Sequence, residues 1–224
     1  MQIIVVGSGK LASEILDRMR IDSSWEVTRW SERKTSADRV VLVHAGSGRE
    51  LPAVVAYCQD NHATLVELAT GSEFERDHCA FPAVICLNTN ILMLKCMAML
   101  AQSGHFFSGY NIRLTESHQA QKTSVPGTAL AMAQSLGVAP EDVISVRESG
   151  IQSSQLNIPV EHMGRHAYHQ VVIEDDVCKV TLETRVYGAS PYVDGVIQIV
   201  KAIEAHPLEN RLYDVAELVQ CGWL

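Results

Sequence analysis

No two cysteines in this chain are spaced as CxxC, no internal repeat or low-complexity tract occurs, and no apolar run approaches a membrane span. The six cysteines, Cys58, Cys79, Cys86, Cys96, Cys178 and Cys221, are scattered. Such scatter points to neither a zinc ligand set nor a disulfide framework, so no metal is expected. The longest apolar stretch, Ile91–Leu100, is interrupted by Lys95 and is too short to cross a bilayer. Positive charge is scarce as well: 18 Lys and Arg stand against 26 Asp and Glu, a net charge of −8. With no basic stripe to offset that balance, a nucleic-acid surface is not expected. No leader-like segment precedes the first apolar run, and a cytoplasmic chain with reduced thiols is the expectation.

What is present starts at residue 2. Gln2-Ile3-Ile4-Val5-Val6 is a β-branched run without alternation, the pattern of a strand buried on both faces. Gly7-Ser8-Gly9-Lys10-Leu11-Ala12 follows, and Leu11, Ile15, Leu16 and Met19 then recur on one side of a helix. A GxGxxA turn between strand and helix is the setting of a dinucleotide site. Gly7 allows the tight turn, Gly9 lets the backbone approach a pyrophosphate, and Ala12 lets the helix pack close to the strand. Gly7, Gly9, Lys10 and Leu11 are therefore expected to line a cofactor. A second strand, Glu26–Trp30, leads to Glu32 and Arg33. An acid there suits the ribose 2′-hydroxyl of NAD and an Arg the 2′-phosphate of NADP, so NADH and NADPH both stay open.

At 224 residues the chain holds one large domain or two small ones. Strands over Arg39–His44, Thr64–Leu68 and Ala83–Leu87, with a helix over Arg49–Cys58, continue the alternation of a Rossmann-type, doubly wound parallel α/β sheet. Their carboxyl ends carry His44-Ala45-Gly46-Ser47-Gly48, Ala69-Thr70-Gly71 and Asn88-Thr89-Asn90. Small and polar residues at that edge fit a cofactor crevice, which adds Ala69, Thr70, Gly71, Asn88 and Asn90 to the cofactor set. The pattern then changes. A helix (Ile91–Ser103), a strand (Tyr110–Ser117), a helix (Thr128–Leu136) and strands near Val143–Arg147, His166–Glu174 and Val177–Tyr187 predict a smaller α+β domain with an open mixed sheet. The last two strands join through a tight turn at Asp175-Asp176. A long helix over Pro191–Ala205 and a short one over Leu212–Val219 close the chain. The expected division is 1–90 with 192–224 for the dinucleotide and 91–191 for substrate binding and oligomerisation.

The densest chemistry lies in Glu116-Ser-His-Gln-Ala-Gln-Lys-Thr-Ser-Val-Pro-Gly-Thr-Ala129. Good helix formers follow directly, so Pro126-Gly127-Thr128 reads as the start of a helix whose first N–H groups lack an intrahelical acceptor. Those groups and the positive end of the helix dipole form a carboxylate or phosphate cradle at Gly127 and Thr128. Lys122 adds a full charge, and His118 can supply a proton near pH 7. Capping chemistry before an apolar helix is the plainer reading of the same residues.

With both segments in hand, the chain resembles the dihydrodipicolinate reductase (4-hydroxy-tetrahydrodipicolinate reductase) family over most of its length. Gly7–Ala12 is similar to the family's nucleotide turn, Glu32-Arg33 to its acid–Arg pair, Leu68–Gly71 to its Gly-Thr-Thr-Gly segment, and Asn88–Asn90 to its Asn-Phe-Ser segment. Glu116 through Ala129 resembles its signature of an acid, two His, a Lys and Pro-Ser-Gly-Thr-Ala. The chain departs at Gln119, where the family has its second His. It also lacks a Ser between Pro126 and Gly127, and Gly188-Ala189 stands where the family has Ser-Arg. The resemblance implies NAD(P)H-dependent reduction of an unsaturated ring dicarboxylate in lysine and diaminopimelate biosynthesis. It further implies His118 and Lys122 as catalytic groups, Gln119, Gly127 and Thr128 as substrate contacts, and a homotetramer built through the second-domain sheet. A reductase or dehydrogenase of another imino or amino diacid, and an NAD(P)-binding protein without catalysis, stay open at this point.

Overall fold

The computed structural model describes residues 1–19, 25–33, 39–69, 79–86, 88–123, 126–188 and 192–224. In chain order the elements are β1 (Gln2–Val6), α1 (Lys10–Met19), β2 (Glu26–Arg29), β3 (Val40–His44), α2 (Leu51–Asn61), β4 (Thr64–Glu67), β5 (Ala83–Ile85) and α3 (Ile91–Ser103). After these come β6 (Asn111–His118), α4 (Gly127–Leu136), β7 (Ile144–Val146), α5 (Ser149–Ser154), β8 (His166–Glu174), β9 (Lys179–Tyr187), α6 (Val193–Ala205), β10 (Leu212–Asp214) and α7 (Val215–Gln220). They form two compact units, Met1–Ile91 with Tyr192–Leu224, and Leu92–Pro191.

The first unit is a six-stranded sheet in the order β2-β1-β3-β4-β5-β10, with every neighbouring pair parallel. All five residues of β1 and all five of β3 are buried, as a run without alternation requires. One apolar cluster joins Ile4, Val6, Leu42, Leu65 and Ala83 to Leu51, Val54 and Cys58 of α2. In α1 the buried residues are Ala12, Ile15, Leu16 and Met19, while Leu11 is half-buried, so Ala12 takes the place expected of Leu11. Residues of α6 complete the unit: Val196, Ile199, Val200 and Ile203 are buried, each worth about 1.5–3 kcal/mol of apolar transfer. Arg18 Nη2 donates to Asp194 Oδ1 at 2.7 Å, Trp25 Nε1 to Glu204 Oε2 at 3.2 Å, and Arg39 Nη1 to the Glu204 carbonyl at 2.9 Å. Any side chain at Gly195 would run into the Thr89 carbonyl, so only glycine lets α6 seat there.

Several boundaries differ from the sequence reading by a residue or more, and two of them have a clear side-chain cause. Leu212–Asp214 is a strand paired with β5, and the helix begins only at Val215. Asp214 stops the helix there: its side chain accepts from Ala216 N at 2.9 Å while Glu217 Oε1 accepts from Asp214 N at 3.0 Å, a capping box. The hairpin strand starts at Lys179 rather than Val177, because Asp175 Oδ1 binds the N–H groups of Val177 (2.9 Å) and Cys178 (2.7 Å) and keeps both in the turn.

The second unit is a mixed sheet in the order β7-β6-β8-β9, parallel between β6 and β7 and antiparallel elsewhere. Residues of α3 and α4 (Met93, Leu100, Ala129, Met132) pack with Leu114, Val171 and Ile173 of the sheet in one core cluster. Register places Ser145 beside Glu116, Glu116 beside His169 and His169 beside Thr184. Partners directly opposite in a sheet share a face. One polar residue from each strand thus forms a row that crosses the whole sheet.

Candidate functional site

The signature segment begins as the last turn of pleat in β6. Glu116, Ser117 and their neighbours are buried, and His118, the final strand residue, keeps 14% of its side chain exposed. Alternation puts Glu116 and His118 on one face, two residues apart. There His118 Nδ1 donates to Glu116 Oε2 at 2.9 Å, so its Nε2 is the nitrogen left for a ligand. The other oxygen, Oε1, accepts from Arg147 Nη2 at 2.6 Å and from Ser145 Oγ at 2.5 Å. Burial alone would raise the Glu116 carboxyl, but bonds from His118, Arg147 and Ser145, with the Arg147 charge, outweigh it and hold the group at about 2.

Past the strand the chain turns tightly, with Lys122 N donating to the Gln119 carbonyl at 3.0 Å. Lys122 and Gln119 are half-buried, and among the described residues no carboxylate pairs with the Lys122 ammonium. Helix α4 opens at Gly127. Its N-cap is Pro126, extended at φ −65° and ψ 144°, which offers no side-chain cap. A Cβ placed on Gly127 would meet nothing within 4 Å, so the space over the helix start is open. Thr128 lies in that first turn. The unit thus brings an imidazole, an ammonium and a helix N-terminus into one fourteen-residue segment.

Two further histidines flank His118. His169 lies 5.7 Å from it, ring to ring, and His166 lies 6.5 Å away. Gln152 Nε2 donates to Ser117 Oγ (3.0 Å) and to the His118 carbonyl (2.8 Å); Ser117 Oγ donates to His166 Nε2 (3.0 Å) and His166 Nδ1 to the His162 carbonyl (3.1 Å). Burial lowers His166, and lowers His169 to about 4, with the His118 charge acting in the same direction on both.

These shifts give the second unit a defined acid sensitivity. A base lowered on folding leaves the unfolded chain binding more protons, so His169 costs stability as pH falls from 6.5 toward about 4. An acid lowered on folding contributes stability above its unfolded value, here 4.5, which is lost as pH falls toward about 2. Thermal unfolding followed against pH should therefore show two successive declines. H169N should flatten the upper one and E116Q the lower; unchanged profiles in both variants would contradict the assignment.

The first unit carries the other set. Gly7 has φ +123°, and a Cβ there would come within 2.7 Å of the Ala45 carbonyl oxygen, so glycine is required where the loops after β1 and β3 meet. Those two adjacent strands are the switch point of this sheet, the place where such sheets hold ligands. Gly9 is different: a Cβ would meet nothing within 4 Å, and its carbonyl accepts from Ser13 N at 3.1 Å, so nothing in the protein itself demands glycine. Lys10 is 71% exposed and 4.0 Å from Glu14, and Leu11 is half-buried. Glu32 and Arg33 follow β2 on the surface; Arg33 lies 3.8 Å over the Trp30 ring and donates to the Trp30 carbonyl at 2.7 Å. Asn88 Oδ1 accepts from Asn90 N at 2.9 Å. Thr70 and Gly71 lie outside the described residues, and their neighbour Ala69 donates its N–H to Glu67 Oε1 at 2.8 Å.

Glu67, Arg147, Gln152, His166 and His169 escaped the sequence reading, which named His44 at a strand's carboxyl end but not its pairing with Glu67. His44 and Glu67 are wholly buried, with His44 Nδ1 2.8 Å from both carboxylate oxygens, and they meet only because β3 and β4 pair in register. Arg147, His166 and His169 reach the signature through strand pairing, and Gln152 through the short α5, which has no apolar periodicity. Among the described residues no group of three His, Cys, Asp or Glu could hold a metal ion, and no helix is long and apolar enough to cross a membrane.

Comparison with known proteins gives a consistent result. A family profile described as dihydrodipicolinate reductase, C-terminus, matches residues 90–219. A probable 4-hydroxy-tetrahydrodipicolinate reductase 2, chloroplastic, of Oryza sativa subsp. japonica is 29% identical over 143 residues, 59% of this chain and 44% of the relative. The 4-hydroxy-tetrahydrodipicolinate reductase 1, chloroplastic, of Arabidopsis thaliana is 30% identical over 144 residues, 59% of this chain and 41% of the relative. The matches span less than half the length of these curated relatives. Among solved structures, a dipicolinate-bound dihydrodipicolinate reductase from Paenisporosarcina sp. TG-14 has the same fold. Its TM-score is 0.69 at 15% identity, covering 97% of this chain and 99% of that one.

Proposed function

The chain belongs to the dihydrodipicolinate reductase family, and from that premise we propose that it catalyses NAD(P)H-dependent reduction of 4-hydroxy-tetrahydrodipicolinate to tetrahydrodipicolinate, in lysine and diaminopimelate biosynthesis. The observation that carries this reading is the Glu116–His118 pair at the end of β6, with Lys122 and the start of α4 in the same segment. A ring bearing two carboxylates needs cationic and N–H partners and a proton source, and this segment offers all three.

In this reading residues 1–90 with 192–224 are the dinucleotide-binding domain and 91–191 the substrate domain. The residues of the first unit fit a nicotinamide dinucleotide: a forced glycine at the switch point, open space over Gly9, and a helix start beyond it. Gly7, Gly9, Lys10 and Leu11 would hold the pyrophosphate, Glu32 and Arg33 the adenosine ribose, and Ala69, Thr70, Gly71, Asn88 and Asn90 the remainder. When bound, that cofactor supplies the hydride. Lys122 pairs with one ring carboxylate, and the N–H groups of Gly127 and Thr128 hold the other at the helix N-terminus. Gln119 donates a hydrogen bond but carries no charge. The overall conversion takes up one hydride and one proton and releases the 4-hydroxyl as water; His118 gives the proton from Nε2 while Nδ1 stays on Glu116. The carboxylate, held ionised, keeps the ring oriented and faces the imidazolium before transfer.

Glu32 and Arg33 together suit use of either NADH or NADPH. The exposed outer strand β9 and the exposed Ile144 and Val180 fit assembly through the four-stranded sheet, as a homotetramer. Six free thiols, two of them exposed, suit a reducing compartment such as the cytoplasm.

Oxidation of NADH and NADPH, followed by absorbance with freshly generated synthase product, tests the activity. No oxidation with either cofactor would refute it, and turnover of another imino or amino diacid alone would reassign the substrate. A binding test isolates the first unit: G9V should lose NAD(P)H binding by calorimetry while keeping its unfolding temperature, because the added side chain enters space the protein leaves open. Unchanged affinity would remove the nucleotide assignment.

A further inference from the structure

We propose that Arg147 is a positioning residue that ties the two reacting side chains, His118 and Lys122, into one unit. The proposal rests on the reading of that site given above. Arg147 stands one residue past β7, and its guanidinium makes three bonds to three different segments. Nη2 donates to Glu116 Oε1 at 2.6 Å, Nε to the Lys122 carbonyl at 2.8 Å and Nη1 to the Val146 carbonyl at 3.1 Å. The first bond acts on the imidazole: with Oε1 taken by Arg147 and Ser145, Oε2 is left to His118 Nδ1. The second acts on the ammonium: the carbonyl of Lys122 is pinned while its N–H is bound to Gln119.

The geometry depends on a planar fork. Guanidinium N–H groups point in fixed directions within one plane, so a single side chain can serve a carboxylate and a carbonyl at once. An ammonium at the end of a flexible stem is a point charge and does not hold two such acceptors in a fixed relation. The ion pair is largely shielded from water, with Arg147 20% and Glu116 0% exposed, so removing the arginine leaves a buried carboxylate whose charge is uncompensated. The guanidinium that meets Oε1 comes from about thirty residues downstream, a separation the register of β6 and β7 closes.

Three variants separate the two arms. In R147A, ¹⁵N spectroscopy of His118 should show loss of the single Nδ1–H tautomer, amide exchange at Lys122 should quicken, kcat should fall by about 10–100-fold, and KM should rise roughly tenfold, the scale of a charge-assisted hydrogen bond. In R147K the restored charge should bring back the tautomer and most of kcat, while Lys122 exchange and KM stay raised. In E116Q the tautomer should be lost with Lys122 exchange and KM unchanged. NAD(P)H affinity should stay constant throughout, and an unchanged circular-dichroism spectrum certifies folding of the second unit. An R147K enzyme with wild-type KM and Lys122 exchange, or an R147A protein with the wild-type tautomer, would overturn the proposal. The tautomer and exchange measurements need no substrate, so they decide the positioning role even if the ring is not reduced. Turnover by the wild type with R147A unaffected would leave the function standing and remove the role of Arg147.

Discussion

Replacing His118 with Gln is expected to lower kcat by about 10²–10⁴-fold, the usual contribution of a positioned general acid, with little change in NAD(P)H affinity. The expectation follows from how the ring is held. Its Nδ1 is bound to a buried carboxylate, which leaves Nε2 on a side chain that is 14% exposed, so the imidazole has one nitrogen for orientation and one for chemistry. A glutamine amide can take over a hydrogen bond to Glu116, but it cannot release a proton at neutral pH. The loss therefore falls on the transition state rather than on binding. Because His118 sits at the end of β6, with its carbonyl held by Gln152 through the backbone, the substitution leaves the sheet intact. Steady-state kinetics with calorimetry of the cofactor checks this; a fully active H118Q enzyme would mean that the segment is a cap and a turn and that the proton comes from elsewhere.

Changing Lys122 to Ala should affect both constants. Truncating one partner of a desolvated charge pair costs about 2–5 kcal/mol, and here the carboxylate left behind belongs to the substrate. KM should rise and kcat should fall together, since the ring is both held and aimed by that contact. The turn itself should survive: the N–H and the carbonyl of Lys122 are bound to Gln119 and Arg147 through the backbone, which alanine retains. Equal KM in K122A and wild type would separate the ammonium from substrate recognition.

The parts of this architecture that could be read from the residues are those whose signal is local. A β-branched run, a GxGxxA turn and an apolar helical stripe within twenty residues define β1 and α1, and the run Glu116–Ala129 carries its own chemistry. What escaped is set by register. Arg147, His166 and His169 reach Glu116 and His118 only through the pairing of β6 with β7 and β8, and no local pattern fixes which residue of one strand faces which of another. The His44–Glu67 pair is hidden for the same reason. The short α5 offers no apolar period, and β10 is three residues long and exists because β5 is there to receive it. One miss was avoidable: Asp214 with Glu217 three residues on is a readable helix start, and it places the helix after Leu212 rather than at it.

The division of the first unit between two stretches of chain orders its making. During synthesis, residues 92–191 appear as one continuous block in which all four strands and their covering helices find partners, so this unit can close as soon as it has emerged. The earlier block cannot. Until residues 192–224 follow, its sheet has β5 as a bare edge, Trp25, Arg39 and Thr89 lack the helix that they contact, and the apolar faces meant for α6 remain in water. The sheet that begins at residue 2 is thus completed after the one that begins at residue 111, and a released chain cut short near residue 190 would carry a finished second unit and an adhesive, unfinished first.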